Sequence, residues 1–156
     1  MRKFLILTAL CALFLCGCSG YRQVEISGVQ VQKVKLVSTS DVDLDLAVEV
    51  NNPTRSTFTV SDLEGMLSRN GAAFARVTLR EDAVVYPRTV ADAELRCRIH
   101  LLDPLAVLVM GLDFRSWKPE EFRLDLAATV RSGAVKKKFR MQDVPVAQVL
   151  NRIKRK

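Results

Sequence analysis

Few residues in this chain have chemistry to offer, and their spacing keeps them apart. His100 is the only histidine, so no histidine cluster can hold a transition metal, and Cys97 lies three positions before it. On a strand those two positions point to opposite faces, which leaves no local cysteine–histidine pair for nucleophilic catalysis. Cys97 shares parity with Leu95 and Ile99 and reads as a small core residue; His100 reads as a surface one. Asp41, Asp43, Asp45 and Glu49 share one strand face. Carboxylates at alternate strand positions lack the looped geometry of a calcium site, and the chain has no D-x-D-x-D-G loop. They read as a solvated face paired with Arg96 and Arg98. G-x-S-x-G, a phosphate loop and zinc spacing are all missing. The expectation is a protein with no catalytic residue, metal or cofactor.

A basic stretch carries more information. Lys136, Lys138 and Arg140 fall on the outward face of the last strand, and Arg152, Lys154, Arg155 and Lys156 end the sequence. Between them Pro145 opens a segment whose Val146, Val149, Leu150 and Ile153 recur at helical spacing. These cations suit an anionic lipid or lipopolysaccharide surface. They also suit a C-terminal helix packed on the fold with a solvated basic end that complements the helix dipole. The second reading asks for less and is preferred.

The elements that position these residues are strands. Val42, Leu44, Leu46, Val48 and Val50 alternate with Asp43, Asp45, Ala47 and Glu49, the pattern of a strand with one buried face. Asn51-Asn52-Pro53 stops it, because proline has no N–H for the ladder and asparagine suits turns. Upstream, Val24 to Val37 is strand-like but changes parity twice. That predicts two short strands or one bulged strand, with breaks near Gly28 and Gln32–Lys33. Thr57–Val60 and Leu63–Leu67 lead into Asn70-Gly71, the strongest hairpin signal in the chain, with Ala72–Leu79 as the return strand and Phe74 as a core candidate. Val90 to Leu101 alternates with Ala91, Ala93, Leu95, Cys97, Ile99 and Leu101 inward. Asp103-Pro104 marks the start of a short helix to Met110, closed by Gly111. Phe122–Val130 and Val135–Met141 flank a Ser132-Gly133 turn. Seven or eight short strands, with no helices alternating between them, predict an all-β fold. The expected form is an immunoglobulin- or fibronectin type III-like antiparallel β-sandwich with a short C-terminal helix.

The first residues are an address. Arg2 and Lys3 precede an apolar run from Phe4 to Leu15, too short to span a bilayer and right for a signal peptide. Leu15-Cys16-Gly17-Cys18 resembles the lipobox of bacterial lipoproteins, in which the final cysteine is acylated and becomes residue one. On that resemblance residues 1–17 are removed, Cys18 carries the lipid, and residues 18–23 form a tether. Residues 24–141 are then the sandwich and 142–156 the basic amphipathic helix. Several acyl chains at roughly 0.8 kcal/mol per buried CH₂ hold the protein on the membrane. Ser19 after Cys18, rather than aspartate, favours the outer membrane by analogy with enteric bacteria. Cys97 is then the one thiol left, and stability must come from packing rather than a disulfide. The chain's formal net charge of +7 suits an anionic membrane surface. The compartment excludes nucleic acid as a partner.

The order of these motifs is similar to the type 2 late-embryogenesis-abundant family, also called the water-stress-and-hypersensitive-response domain. Asn52-Pro53 after the alternating strand matches the family's strand ending in Asn-Pro, and Asn70-Gly71 matches its following hairpin. The similarity spans roughly Val24 to Met141. It departs at Thr54, where the family often has asparagine. The resemblance implies a folded, non-catalytic domain associated with desiccation and other water stress, with Asn51, Asn52, Pro53, Asn70 and Gly71 as structural turn residues.

Two functions follow. One is a membrane-anchored envelope lipoprotein acting as a stress-protective or binding module. The other is a carrier or chaperone for lipid or another amphiphile. A closed sandwich fills its inward rows, whereas a carrier leaves apolar space of roughly 300 Å³ or more.

Overall fold

Period-two alternation builds nearly everything in the computed structural model, which describes residues 23–111 and 116–154. Cys18 and the signal segment lie outside these residues, as do Arg155 and Lys156. Eight strands are described: β1 (Glu25–Leu36), β2 (Asp41–Asn52), β3 (Phe58–Arg69), β4 (Ala72–Leu79), β5 (Ala83–Val85), β6 (Thr89–Leu101), β7 (Phe122–Ser132) and β8 (Val135–Pro145). Helix α1 (Pro104–Met110) and a 3₁₀ turn (Pro119–Glu121) separate β6 from β7, and α2 (Val146–Lys154) ends the described chain. All pairings are antiparallel, in the order β1-β2-β6-β4-β3-β7-β8, with β5 on β3. This is the all-β, immunoglobulin- or fibronectin type III-like sandwich, with β1-β2-β6 in one half and β4-β3-β7-β8 in the other. Because β4 also pairs with β6, the halves form one folded-over sheet. Helix α2 touches β1 at one edge and β7 and β8 at the other, so it lies across the seam between the edge strands.

The strands are longer than expected. Six of the eight run 11 to 13 residues. Bulges let them keep pairing where a regular strand would have ended. In β1, Ile26 pairs Val50 but Gly28 pairs Glu49, and Val31 pairs Leu46 but Lys33 pairs Asp45. Ser27 and Gln32 are therefore the extra residues, and each re-phases the strand by one position. As a result Ile26, Val29, Val31, Val34 and Leu36 all stand beside the apolar row Val50, Val48, Leu46, Leu44 and Val42. The two parity changes in the sequence are these two bulges. A similar device extends β8: the register slips between Leu124 and Leu126, Asp143 takes φ +52°, and pairing continues to Pro145. The helix expected from residue 142 therefore begins at Val146.

The turns follow their local chemistry. Asn70 and Gly71 both have positive φ, +50° and +83°, as a two-residue hairpin that follows the strand twist requires. Asp103 Oδ1 accepts the N–H of Ala106 at 3.0 Å, Pro104 stands at the first turn, and Gly111 at φ +86° closes α1.

The main core sits at the α1 end. Phe74 packs edge-on against Trp117 and Phe122, with centroids 5.7 and 5.4 Å apart, while Trp117 stacks on Phe122 at 5.8 Å. Offset and T-shaped ring pairs of this kind contribute about 0.5–1.5 kcal/mol each beyond the area they bury. Trp117 satisfies its indole N–H by donating to the Gly111 carbonyl at 3.1 Å. Leu67, Ile99, Leu101, Met110 and Val146 pack around the rings. Of the β6 row expected inward, Cys97 is buried and Ala93, Leu95, Ile99 and Leu101 are half-buried. Ala91 is exposed instead, beside a groove bordered by Val84, Val85 and Tyr86.

Cys97 is 3% exposed, and burial, aided by the charge of Asp45, pushes its thiol up from the ordinary range. The folded protein is expected to react at least tenfold more slowly with a neutral-pH thiol reagent than the denatured chain, because the thiolate is the reactive form. Equal rates in the two states would show that the β6 faces are reversed.

Candidate functional site

The chemistry-bearing residues converge on two places, both on or beside β2. The first is the corner where β2 ends. Asn52 is fully buried, at 0% exposure. Its amide nitrogen donates to the carbonyls of Ser56 and Tyr86, each at 2.9 Å. Its amide oxygen accepts from Thr54 N–H at 3.1 Å and from Thr54 Oγ1 at 2.7 Å. Two donors and two acceptor lone pairs are the whole capacity of an asparagine side chain. Arg88 N–H adds a bond to the Thr54 carbonyl at 3.0 Å, and the Thr89 hydroxyl donates to Tyr86 O at 3.1 Å. The corner thus ties the end of β2, the 53–57 loop and the β5–β6 turn together. Thr54 serves the corner through its hydroxyl and its N–H. The sequence marks Asn52 as a turn residue; its buried, side-chain role depends on Tyr86, 34 positions away.

The second place is the outward face of β1, β2 and β6, where charge alternates from strand to strand. Lys35 stands beside Asp43 and Asp43 beside Arg98; Lys33 stands beside Asp45 and Asp45 beside Arg96. Arg98 grips Asp43 with two parallel bonds, Nε to Oδ1 at 2.8 Å and Nη2 to Oδ2 at 3.1 Å. Arg80, arriving from beyond β4, adds a contact to Asp43 Oδ2 at 3.2 Å and reaches Asp45 at 3.9 Å. Asp43, expected on a solvated face, is consequently buried, at 7% exposure. The hydrogen bond from Arg98 and the charges of Arg80, Arg98 and Lys35 hold its carboxyl below the usual range despite desolvation. Arg96 pairs with Glu81 at 3.0 Å and Glu94 at 2.9 Å rather than with the β2 carboxylates. Asp41 is bound to His100 Nδ1 at 2.8 Å and to the Ser38 hydroxyl at 2.8 Å, which lowers its carboxyl as well. Lys33, Lys35, Asp43, Asp45, Arg80 and Arg96 border an open, polar groove of about 310 Å³. Arg80 was missed from sequence, since the residue follows a strand end and reaches Asp43 only through the sheet's fold.

Of the basic residues, Lys136, Lys138 and Arg140 are exposed along β8, as expected. By register their side of β8 is opposite to the side holding Val135, Lys137, Phe139 and Met141. Lys137 lies 5.3 Å over the Phe139 ring. Arg152 and Lys154 fall within α2. Asn70 is held from outside the hairpin, its N–H donating to Glu121 O at 3.0 Å while Arg69 pairs with the Glu121 carboxylate at 2.8 Å.

No protein-family model matches the chain, and no curated protein matches it. Among solved structures, a protein from Archaeoglobus fulgidus superposes with a TM-score of 0.49 at 14% identity, covering 76% of this chain and 97% of that one. The yeast GGA1 GAE domain gives 0.34 at 7% identity, over 72% and 85%. A Bacteroides uniformis beta-glucuronidase gives 0.34 at 15%, over 74% of this chain and 13% of that one.

Two outcomes follow from the geometry. Asn52→Ala leaves two carbonyls and the Thr54 donors without their partner, at about 1–3 kcal/mol per buried unpaired group, and is expected to destabilise by roughly 2–4 kcal/mol in urea melts. Asn52→Asp turns both donated bonds into oxygen–oxygen repulsion at neutral pH. Its loss should therefore be larger at pH 7 than at pH 4, where the carboxyl can donate one bond. For Asp43, a depressed carboxyl contributes stability that is fully present above its unfolded value of about 3.9 and is lost as pH falls through the lower folded value. Acid melts should accordingly show a shallower acid limb for Asp43→Asn than for the parent.

Proposed function

We propose that the chain is a non-catalytic, lipid-anchored module of the bacterial envelope, similar to the type 2 late-embryogenesis-abundant domains, whose work is done by its folded surface. The observation that carries this reading is where the reactive side chains are spent. Asp43 is gripped by two guanidinium groups, Asp41 holds His100, and Cys97 is buried with its thiol pushed up. These groups hold the sheet together, which leaves surface binding as the activity the geometry favours.

The anchor is argued from the sequence. Leu15–Cys18 closes a signal-length apolar run, and β1 begins at Glu25, so six residues after Cys18 separate lipid from fold. A segment of that length keeps the sandwich close to the membrane surface. The basic face of β8 suits anionic head groups in that position. Protection under water stress is the role the family resemblance adds, and it requires a fold that persists when water is scarce. The fully bonded Asn52 corner and the interlocked charges of β2 are features such a fold would use.

Cys18→Ala is expected to abolish incorporation of labelled fatty acid and to release the protein from the membrane fraction. In a deletion strain the parent gene should restore survival of drying better than this variant. Continued fatty-acid labelling of Cys18→Ala removes the anchor assignment, and unchanged survival of the deletion strain removes the stress role.

A further inference from the structure

Among the described residues the sandwich is open along its seam, and the rows there are largely apolar. The re-phased row of β1 lies on the inner side of the sheet, yet Ile26, Val31, Val34 and Leu36 are 57%, 63%, 58% and 72% exposed. Beside it Val42, Leu44, Leu46 and Val48 of β2 are only half-buried. Across the seam, β8 sets Val135, Phe139 and Met141, with Lys137 among them, against the inner positions Ser132, Ala128, Leu126 and Val130 of β7, and these side chains are exposed. Two bulges in one strand keep the β1 row apolar on this side, so the row is built by the fold rather than left by chance. A monomer rarely exposes a contiguous apolar surface of this kind without a partner for it.

We infer that the open inner face of β1 and β2, rimmed by β8, holds the acyl chains of an anionic phospholipid. Dimensions and charge favour that occupant. The row from Val42 to Val50 runs roughly 27 Å at about 3.4 Å per residue, longer than the about 15 Å of one leaflet's hydrocarbon, half of a core about 30 Å thick. Two adjacent strands give a strip about 10 Å wide at about 4.8 Å per strand, the width of one or two chains. The β8 rim is cationic. β8 brings Lys137 within its inner row and Lys136, Lys138 and Arg140 on its other side, whereas Lys33 and Lys35 of β1 stand beside Asp45 and Asp43 on the outward face. The acids on these two strands are Glu25 at the start of β1 and Asp143, which is paired with Arg123 at 2.9 Å. Lysine stems can lie along apolar surface while their heads reach a phosphate. A second copy pairing edge to edge would set lysines against lysines and meet two bulges, the features that keep edge strands from joining. Helix α2 bridges β1 and β8 and marks one end of the strip.

The inference rests on the reading of the chain as an envelope binding module but not on the Cys18 anchor. The full-length protein, carrying a photo-cross-linking phenylalanine analogue at Val34, at Leu36 or at the outward Lys35, is irradiated in cells grown on radiolabelled phosphate. Label is expected on the Val34 and Leu36 proteins at no less than five times the Lys35 level, with a glycerophospholipid identified by mass spectrometry. Adding Leu44→Glu to the Leu36 protein should remove most of that label while Cys97 stays protected from thiol reagent. Label at none of the three positions, equal label at all, a cross-link to protein or to a second copy, or lipid A in place of phospholipid overturns the inference. An acyl anchor carries no phosphorus, so fatty-acid labelling at Cys18 reports separately. Phospholipid cross-linked at Val34 without fatty acid on Cys18 sinks the anchor alone, and fatty acid without phospholipid sinks the inference alone.

Discussion

The fold depends on one buried amide. Asn52 has no contact with water, yet it leaves none of its hydrogen-bonding capacity unused. A buried polar group in that state costs little and fixes much, because any shift of the loops it joins strands a donor or a carbonyl. It couples the end of β2 to the start of β6 by a route separate from the ladder between those strands. The loop after Pro53 and the turn around Arg88, which carries φ +52°, are set by the same side chain. Beside this corner β5 pairs with β3, whereas the ladder that joins the two halves lies at the other end of β6, where β4 pairs Cys97–Leu101.

On the outward face the same economy is achieved with charge. A row of carboxylates on β2 lies between lysines on β1 and arginines on β6; Asp43 is answered by Arg98 and Arg80, while Asp45 Oδ1 is buried without a hydrogen bond, 3.9 Å from Arg80. Single exposed ion pairs contribute little, but a two-point Arg98 grip on a desolvated Asp43, reinforced by Arg80, belongs to the stronger kind. The arrangement also discriminates between registers. A one-residue slip would turn the whole acidic row toward the apolar side.

Much of this was legible in the sequence because it is local. Parity changes near Gly28 and Gln32–Lys33 announced the β1 bulges, Asn70-Gly71 announced the hairpin, and Asp103-Pro104 with Gly111 bounded α1. What stayed hidden depended on distant partners. Asp43 alternates like a solvent-facing residue, and only the arrival of Arg80 and Arg98 buries it. Trp117 has no periodic neighbours to place it, so its stacking on Phe122 could not be read. Pro145 signals a helix, and it does precede one, but the bulge at Asp143 carries β8 four residues further than alternation suggested. The site followed the same division. Asn52 was identified and its chemistry was not, because Ser56 and Tyr86 become neighbours only after the corner forms.

The bulges in β1 also divide the strand into positions with different tolerance for change in length. Ser27 and Gln32 are the residues without a register partner on β2, although the Ser27 hydroxyl donates to the Glu49 carboxylate. Loss of Gln32 would leave Val31, Lys33, Val34, Lys35 and Leu36 alternating regularly, each still on its own side. Loss of any paired residue between the bulges would turn everything on one flank inside out. In evolutionary terms, β1 can be shortened at two points and nowhere between them. An edge strand is therefore a place where this fold can accept a deletion without losing the distinction between its faces.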